Sequence, residues 1–431
     1  MGSFSSLAGK SYTWMGFFIT MCTLGIAFYY SVVTAWSLRY LWISFMNVIS
    51  STSIADQLSE NPDFLDNQWS AIANGSWGTI IIYIIVVIAG VNLLGKGIRQ
   101  GLEKANRILI PSLFMLLLII VVLVLQLPNG LQGLEYMFTV KWELFADPKV
   151  WIEALSQSAW STGAGWGLMM TLSSYSRERE DVVLNTFIGA FGNNTASIVA
   201  GMAIIPSVFA LASSESEALS FLQAGNQSLT FLIIPKLFDN YAGGNILAVV
   251  FFLALFFAAF SSLLPMIELF MSNLINVGIS RKPATWMVGI CFIVIGFPSA
   301  YSLDFFNNQD WVWGVGLILS GLFMLWAVIK YNPRKFKVDF IDQDSQMRVS
   351  NFYFAAASVL NVLLAVFLIY WWLSQGYSAN PWFNAQGAWN VFDVYSNASV
   401  ITQWVVILAV GIALNSFLYR KFKTYDPFLT D

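Results

Sequence analysis

Histidine is absent from all 431 positions, which removes imidazole metal ligands, Ser-His-Asp triads and histidine proton relays together. Only two cysteines occur, Cys22 and Cys291. Each sits inside an apolar run, so they read as small buried residues and not as a disulfide or a metal pair. Charge is scarce as well: 10% of residues are Asp, Glu, Lys or Arg, against about a quarter in an ordinary soluble domain. A net charge of −3 supplies no basic patch and argues against a nucleic-acid partner. No small-residue cleavage site follows the first apolar run, which starts near Trp14 and is too long for a signal-peptide core.

What is abundant is apolar. Hydrophobic residues make up 57% of the chain, with 18 Trp and 36 Phe, and the mean hydropathy is +0.67. A helix needs about 20 mostly apolar residues to cross a bilayer. Ten stretches meet or approach that length: 13–42, 77–95, 108–126, 150–174, 181–212, 244–277, 283–301, 311–330, 351–374 and 399–419. The chain therefore reads as an all-α polytopic membrane protein of about ten transmembrane helices, an even number that puts both termini on one side. Lys and Arg in short loops stay cytoplasmic. With the N-terminus inside, the outer segments hold only Arg39, Lys141, Lys149 and Lys236 of the 21 basic residues. The inner segments hold the rest, among them Lys96, Arg99, Arg177, Arg179, Arg281 and Lys282. The outer segment 41–76 carries Asp56, Glu60, Asp63 and Asp66 and no Lys or Arg. These charges predict cytoplasmic termini in the plasma membrane. In the second long outer segment, 213–243, the apolar Phe231 to Leu237 stretch either folds back onto the bundle or forms an ordinary surface loop.

The fourth span is punctured. Trp160-Ser161-Thr162-Gly163-Ala164-Gly165-Trp166-Gly167 puts three glycines in five residues, each costing about 1 kcal/mol relative to alanine inside a helix. Exposed backbone in hydrocarbon costs several kcal/mol more per unpaired group. A break is tolerable where something polar uses it: the first half-helix ends in carbonyls that suit a cation, and the second begins with N–H groups that suit a carboxylate. Alternatively, Gly163 and Gly167 serve only as a close-packing face for a neighbouring helix. Asn193, Asn194 and Ser197 in the fifth span, with Ser261 and Ser262 in the sixth, are the polar groups that would converge on such a break. A single serine in a membrane helix is more often bonded to its own backbone. Glu268 is costly in a span; the reading preferred here is a protonated or hydrogen-bonded packing residue and not an ion site.

Several stretches together resemble the neurotransmitter:sodium symporter family: Gly25-Ile-Ala-Phe-Tyr-Tyr30 with Trp36, Gly97-Ile-Arg-Gln-Gly-Leu-Glu-Lys104 with Pro111, and Trp151 through Gly167 to Ser174-Tyr175. Asn193-Asn-Thr-Ala-Ser197 with Gly201, Phe257-Ala-Ala-Phe-Ser-Ser262 with Glu268, and Ser280-Arg-Lys282 complete the set. The resemblance implies the leucine-transporter inverted-repeat fold minus its first two helices, because the first span here matches the family's third. The broken-helix geometry belongs to that family's fold and is therefore implied by the same resemblance. One transporter domain would cover 1–431: the remainder of the first repeat at 1–126 (family helices three to five), the second repeat at 150–330 (six to ten), and two C-terminal helices at 351–420.

By the same resemblance, sodium ions are ligated by Ser161, Asn193, the Ala258 carbonyl, Ser261 and Ser262, hard oxygen donors of the kind an alkali cation takes. Ile26, Tyr30, Trp160, Gly163, Trp166, Ser262 and Met266 line the substrate. Gln157, Ser161, Asn193 and Ser197 match a chloride site, with chloride use left open, and Asp310 matches the acid of an outer gate. Asn276 stands where the inner gate has an aspartate. The implied function is sodium-coupled symport of an amino acid or related amine by alternating access, with the bilayer and that solute as partners and a homo-oligomer left open. The competing reading is a non-transporting fragment, or half of a split transporter that needs the two missing helices. No catalytic constellation supports an intramembrane enzyme.

Overall fold

The computed structural model describes residues 1–50, 61, 63–175, 181–239, 243–343, 345–375 and 377–423. Asp56, Glu60, Arg177 and Arg179, which entered the charge reading above, lie outside these. Among the described residues the architecture is helical, and eight single helices are long and apolar enough to cross a membrane. A ninth crossing is a bent pair and the tenth predicted span is an interrupted helix.

The principal helices are α1 (Thr13–Ser50), α2 (Trp77–Gly95), α3 (Lys104–Leu125), α4 (Pro148–Ser161), α5 (Leu168–Ser173), α6 (Val182–Leu211), α7 (Gly244–Asn276), α8 (Arg281–Tyr301), α9 (Leu303–Tyr331), α10 (Asn351–Ser374), α11 (Asn397–Ala413) and α12 (Asn415–Lys423). A π-helical turn, Ile98–Glu103, leads into α3. The bends and boundaries have local causes. The α11–α12 pair, expected as one span at 399–419, turns by 61°, and Asn415 at the turn accepts the Trp14 amide (3.0 Å) and donates to the Lys10 carbonyl (3.1 Å). α9 starts at Leu303, a full two turns before the expected 311, because Ser302 caps it by accepting the Phe305 amide. Its polar first turns are satisfied by side chains of α11: Asn308 Nδ2 donates to the Ser399 hydroxyl (2.9 Å) and Gln403 Nε2 donates to Asn308 Oδ1 (3.0 Å). Hydropathy reads such residues as loop; paired, they are tolerated in a span.

α1 is the central helix. The six consecutive residues from Cys22 to Ala27 go more than once round its axis and are all buried, as expected of a helix enclosed on every side. α7 packs along it, α9 and α2 flank it, and α3 packs behind α7. Toward the C-terminal end of α1 Trp69 and Phe231 stack (5.1 Å) and Tyr40 lies 5.2 Å from Phe252. Phe231, Leu237 and Phe238 are buried, so the 231–237 stretch folds back into the bundle.

At the other end, the Asp181 carboxylate joins two segments. One oxygen caps α6 through the Leu184 amide (2.9 Å), and the other accepts the Gln346 amide (2.7 Å). These backbone bonds hold its pKa below the ordinary 3.8. A depressed acid contributes its hold above its unfolded pKa and loses it as the pH falls through the lower folded value. Hydrogen exchange should therefore show the Gln346 amide protected at pH 5 and released only in stronger acid; early release, near pH 5, would contradict the contact.

Candidate ion and substrate site

The fourth predicted span comes apart where its glycines cluster. Asp147 caps α4 by accepting the Lys149 amide (2.9 Å), with Pro148 at the first helical position, where its missing N–H costs nothing. The backbone leaves the helix at Thr162 and re-enters one at Leu168. Between them Gly163, Gly165 and Gly167 adopt φ of +74°, +82° and +73°, the left-handed region open to glycine without a Cβ penalty. The turn keeps a few long internal bonds, such as Gly163 N to Trp160 O at 3.4 Å. The Ala164, Gly165 and Gly167 amides donate to nothing among the described residues. From α1, Thr23 Oγ1 donates to the Trp166 carbonyl (2.7 Å), a contact that sequence reasoning did not single out.

Of the expected close-packing pair, Gly167 lies tight against α1, where a Cβ would stand 3.1 Å from Ile19 Cγ2, and Gly163 does not; the tightest approach is at Gly165, outside that pair. A Cβ on Gly165 would stand 2.3 Å from the Leu317 carbonyl of α9, whereas one on Gly163 would meet nothing nearer than 3.9 Å. Gly163→Ala should cost about 1–2 kcal/mol, from its left-handed backbone alone. Gly165→Ala should cost about 1–3 kcal/mol more, because the turn must also back away from α9. Thermal unfolding in detergent measures both, and equal losses would contradict the close approach.

The expected site residues gather in two clusters. At the first, Asn193 Nδ2 of α6 donates to Ser161 Oγ at the end of α4 (3.0 Å). That leaves Asn193 Oδ1 without a protein donor among the described residues, a neutral oxygen of the kind a hard cation takes. Ser197 Oγ donates to the Asn193 carbonyl (3.1 Å); Gln157, one turn before Ser161, is exposed. At the second cluster Ser261 Oγ of α7 donates to the Ala258 carbonyl (3.0 Å), and the Tyr30 hydroxyl of α1 lies against the Ser262 side chain. α6 packs mainly on α3 and on the short helix Gly130–Phe138, and α7 mainly on α1 and α3, so the clusters stand on different helix pairs. Of the remaining wall residues, Trp160 and Trp166 touch each other, with ring centroids 5.4 Å apart, while Ile26 and Met266 are packed in the core.

The profile of the sodium:neurotransmitter symporter family matches residues 50–423, which takes in the broken helix and both clusters except Tyr30. The chain belongs to the sodium:neurotransmitter symporter family. An uncharacterized sodium-dependent transporter of Methanocaldococcus jannaschii is 28% identical over 326 residues, which cover 74% of this chain and 66% of that protein. An uncharacterized sodium-dependent transporter of Bacillus subtilis is 24% identical over 293 residues, covering 67% of this chain and 60% of the relative. The chain thus spans less than two thirds of the length of these relatives. Among solved structures, that of MhsT in complex with L-phenylalanine superposes with a TM-score of 0.67 at 20% identity, over 85% of this chain and 89% of MhsT. The fold is therefore the leucine-transporter fold of this family, and the protein is a multi-pass membrane protein.

Two further features of this family member were not foreseen. Glu268 of α7 is fully buried and hydrogen-bonded, in line with the packing role expected of it, but its cationic partner was not named: it accepts the Tyr175 hydroxyl (2.7 Å) and pairs with Arg281 Nη2 (2.6 Å) at the start of α8. Arg281 Nε also donates to the Leu94 carbonyl at the end of α2 (2.9 Å). One carboxylate thus ties α2, α7, α8 and the segment after α5 at the basic end of the bundle. The cost of an intramembrane acid was the available signal, since it called for a cation near a helix end. The second feature is a cavity of about 480 Å³ between α4, the unwound turn, α9 and α10. Trp160 lines it, but Ile26, Tyr30, Gly163, Trp166, Ser262 and Met266 do not; Asp310 does. Asp310 has no ion-pair partner among the described residues.

Proposed function

We propose that this chain carries out sodium-coupled symport of an amino acid or related amine by alternating access. The observation that carries the reading is the mid-span break at Thr162–Gly167, with Ser161 and Asn193 joined beside it. Hydrocarbon tolerates an open backbone only where a polar occupant uses it. In this reading one sodium ion takes oxygens from Ser161 and Asn193, and a second takes the Ala258 carbonyl, Ser261 and Ser262. The solute lies against Tyr30, Trp160, Gly163 and Trp166, with Ile26 and Met266 behind them. Gln157, Ser161, Asn193 and Ser197 are the donor set for chloride, and Asp310 is the outer gate acid. Residues 1–126 and 150–330 act as the two repeats, with 351–420 peripheral to them, and the basic ends lie in the cytoplasm beneath the plasma membrane. The names of the relatives support sodium, and the amino acid bound to MhsT supports the solute class.

The test is uptake of radiolabelled amino acids and amines into proteoliposomes with and without an inward sodium gradient. Saturable uptake that needs sodium is the expected result; saturable uptake indifferent to sodium would refute the coupling.

A second reading is favoured by one observation. The amide side chains of Asn194 at the middle of α6 and Gln157 on α4 are exposed and make no hydrogen bond among the described residues, although unpaired polar groups facing hydrocarbon are costly. A further membrane segment covering this face would remove that cost and supply the remaining ion ligands. The 431 residues expressed alone would then take up nothing. Sodium-dependent uptake by that product excludes this reading.

A further inference from the structure

The segment between α10 and α11 holds a built hairpin that no transport step uses. Phe383 and Trp389 pair across an antiparallel bridge, and the Asn390 amide donates to the Trp382 carbonyl (3.0 Å). Asn384 Oδ1 accepts the amides of Gln386 (3.1 Å) and Ala388 (2.9 Å), and Gly387 turns the chain at φ +76°. The hairpin presents aromatics outward: Phe383 is 56% exposed, Trp389 41% and Phe392 98%. Residues 375–396 contain no Lys or Arg. Their one acid, Asp393, already accepts from Ser378 Oγ (2.8 Å) and the Tyr395 amide (3.0 Å).

Its position argues for what covers it. The Trp389 indole donates to Thr402 Oγ1 (2.8 Å), and the Pro381 carbonyl accepts the Ala398 amide (3.0 Å). Thr402 lies five residues into α11, about 7–8 Å along its axis, so the hairpin folds back along the flank of that helix toward the bilayer. Val405 and Val406, on the same helical face as Thr402, are more than half exposed, which continues the apolar strip inward.

We propose that residues 381–392 form an interfacial anchor that lies in the headgroup layer of the leaflet at this end of α10 and α11, with Trp389 and Phe392 against the upper acyl chains. Indole and phenyl groups favour that depth, where an apolar body meets lipid and a polar edge meets water. With no basic side chain, the partner is the lipid–water boundary itself and not an anionic headgroup. The anchor would steady α9 as well, because Asn308 Nδ2 donates to the Val394 carbonyl just beyond the hairpin (2.8 Å).

The experiment places a nitroxide at Phe392→Cys and, separately, at the turn position Ala385→Cys, in the full chain with Cys22 and Cys291 replaced by alanine. Glu215→Cys, at the exposed first position of the helix Glu215–Leu222, is the aqueous reference. Power saturation is read in phosphatidylcholine vesicles and in vesicles containing phosphatidylglycerol. The expected result at position 392 is a shift toward oxygen and away from a nickel chelate relative to position 215, equal in both lipids. A label at 392 or 385 as open to nickel as the one at 215 would overturn the proposal. So would a depth that depends on phosphatidylglycerol, or dipolar broadening that grows with protein per vesicle, which would make a second copy the occupant.

Discussion

Glu268→Ala is expected to destabilise the protein in detergent by about 3–5 kcal/mol, the usual cost of removing one partner from a buried ion pair. The carboxylate is fully buried and the Arg281 side chain is 24% exposed, so water relieves part of the stranded charge and the loss should lie near the lower end. The carboxylate also holds Tyr175, which follows the broken helix, so its removal loosens both the segment after α5 and α8 from α7. Glu268→Gln keeps an acceptor for Tyr175 and loses only the charge, and should fall between wild type and alanine. A double-mutant cycle with Arg281→Ala isolates the pair: contacting charges couple by about 0.5–3 kcal/mol, and the short distance places this pair in the upper half. Additive losses would mean that Arg281 is held by solvent and the Leu94 carbonyl, and that the lock does not exist.

Asn193→Ala should raise the sodium concentration for half-maximal response by about 10- to 100-fold, since hydrogen-bond-like contacts to a charge contribute about 1.5–3 kcal/mol. Asn193 Oδ1 is open to an ion because its amide nitrogen is committed to Ser161. Ser161→Ala removes both an oxygen and the acceptor that orients Asn193, so its effect should be comparable and the two losses should not add. Sodium titration of thermal stability or of uptake reads both, with Ser358→Ala, which only bonds its own helix, as the control. Unchanged sodium curves for both site variants would remove the ion assignment at the break.

Hydropathy located two spans to the residue: 77–95 and 351–374 agree with α2 and α10. It failed at the start of α9, where Asn308 and Gln309 read as loop until side chains of α11 are seen to satisfy them, and at the α11–α12 bend, which Asn415 fixes through contacts some 400 residues away in sequence. At the candidate site the three glycines of the break were visible, because a left-handed turn demands them locally. That Gly165 also packs on α9 was not visible, because nothing in its neighbours names the helix it touches.

By itself, the sequence determined that this protein lives in hydrocarbon, where its helices run, where one of them breaks, and which family it resembles. Composition and glycine spacing are local, and local terms set both solvent and backbone. The tertiary structure alone decided that Asn193 meets Ser161, that Glu268 meets Arg281, that a cavity of about 480 Å³ opens beside Asp310 and that Trp389 lies on Thr402. Those pairings depend on how each helix is rotated about its axis, and a helix as uniformly apolar as α1 carries no stripe that records its rotation.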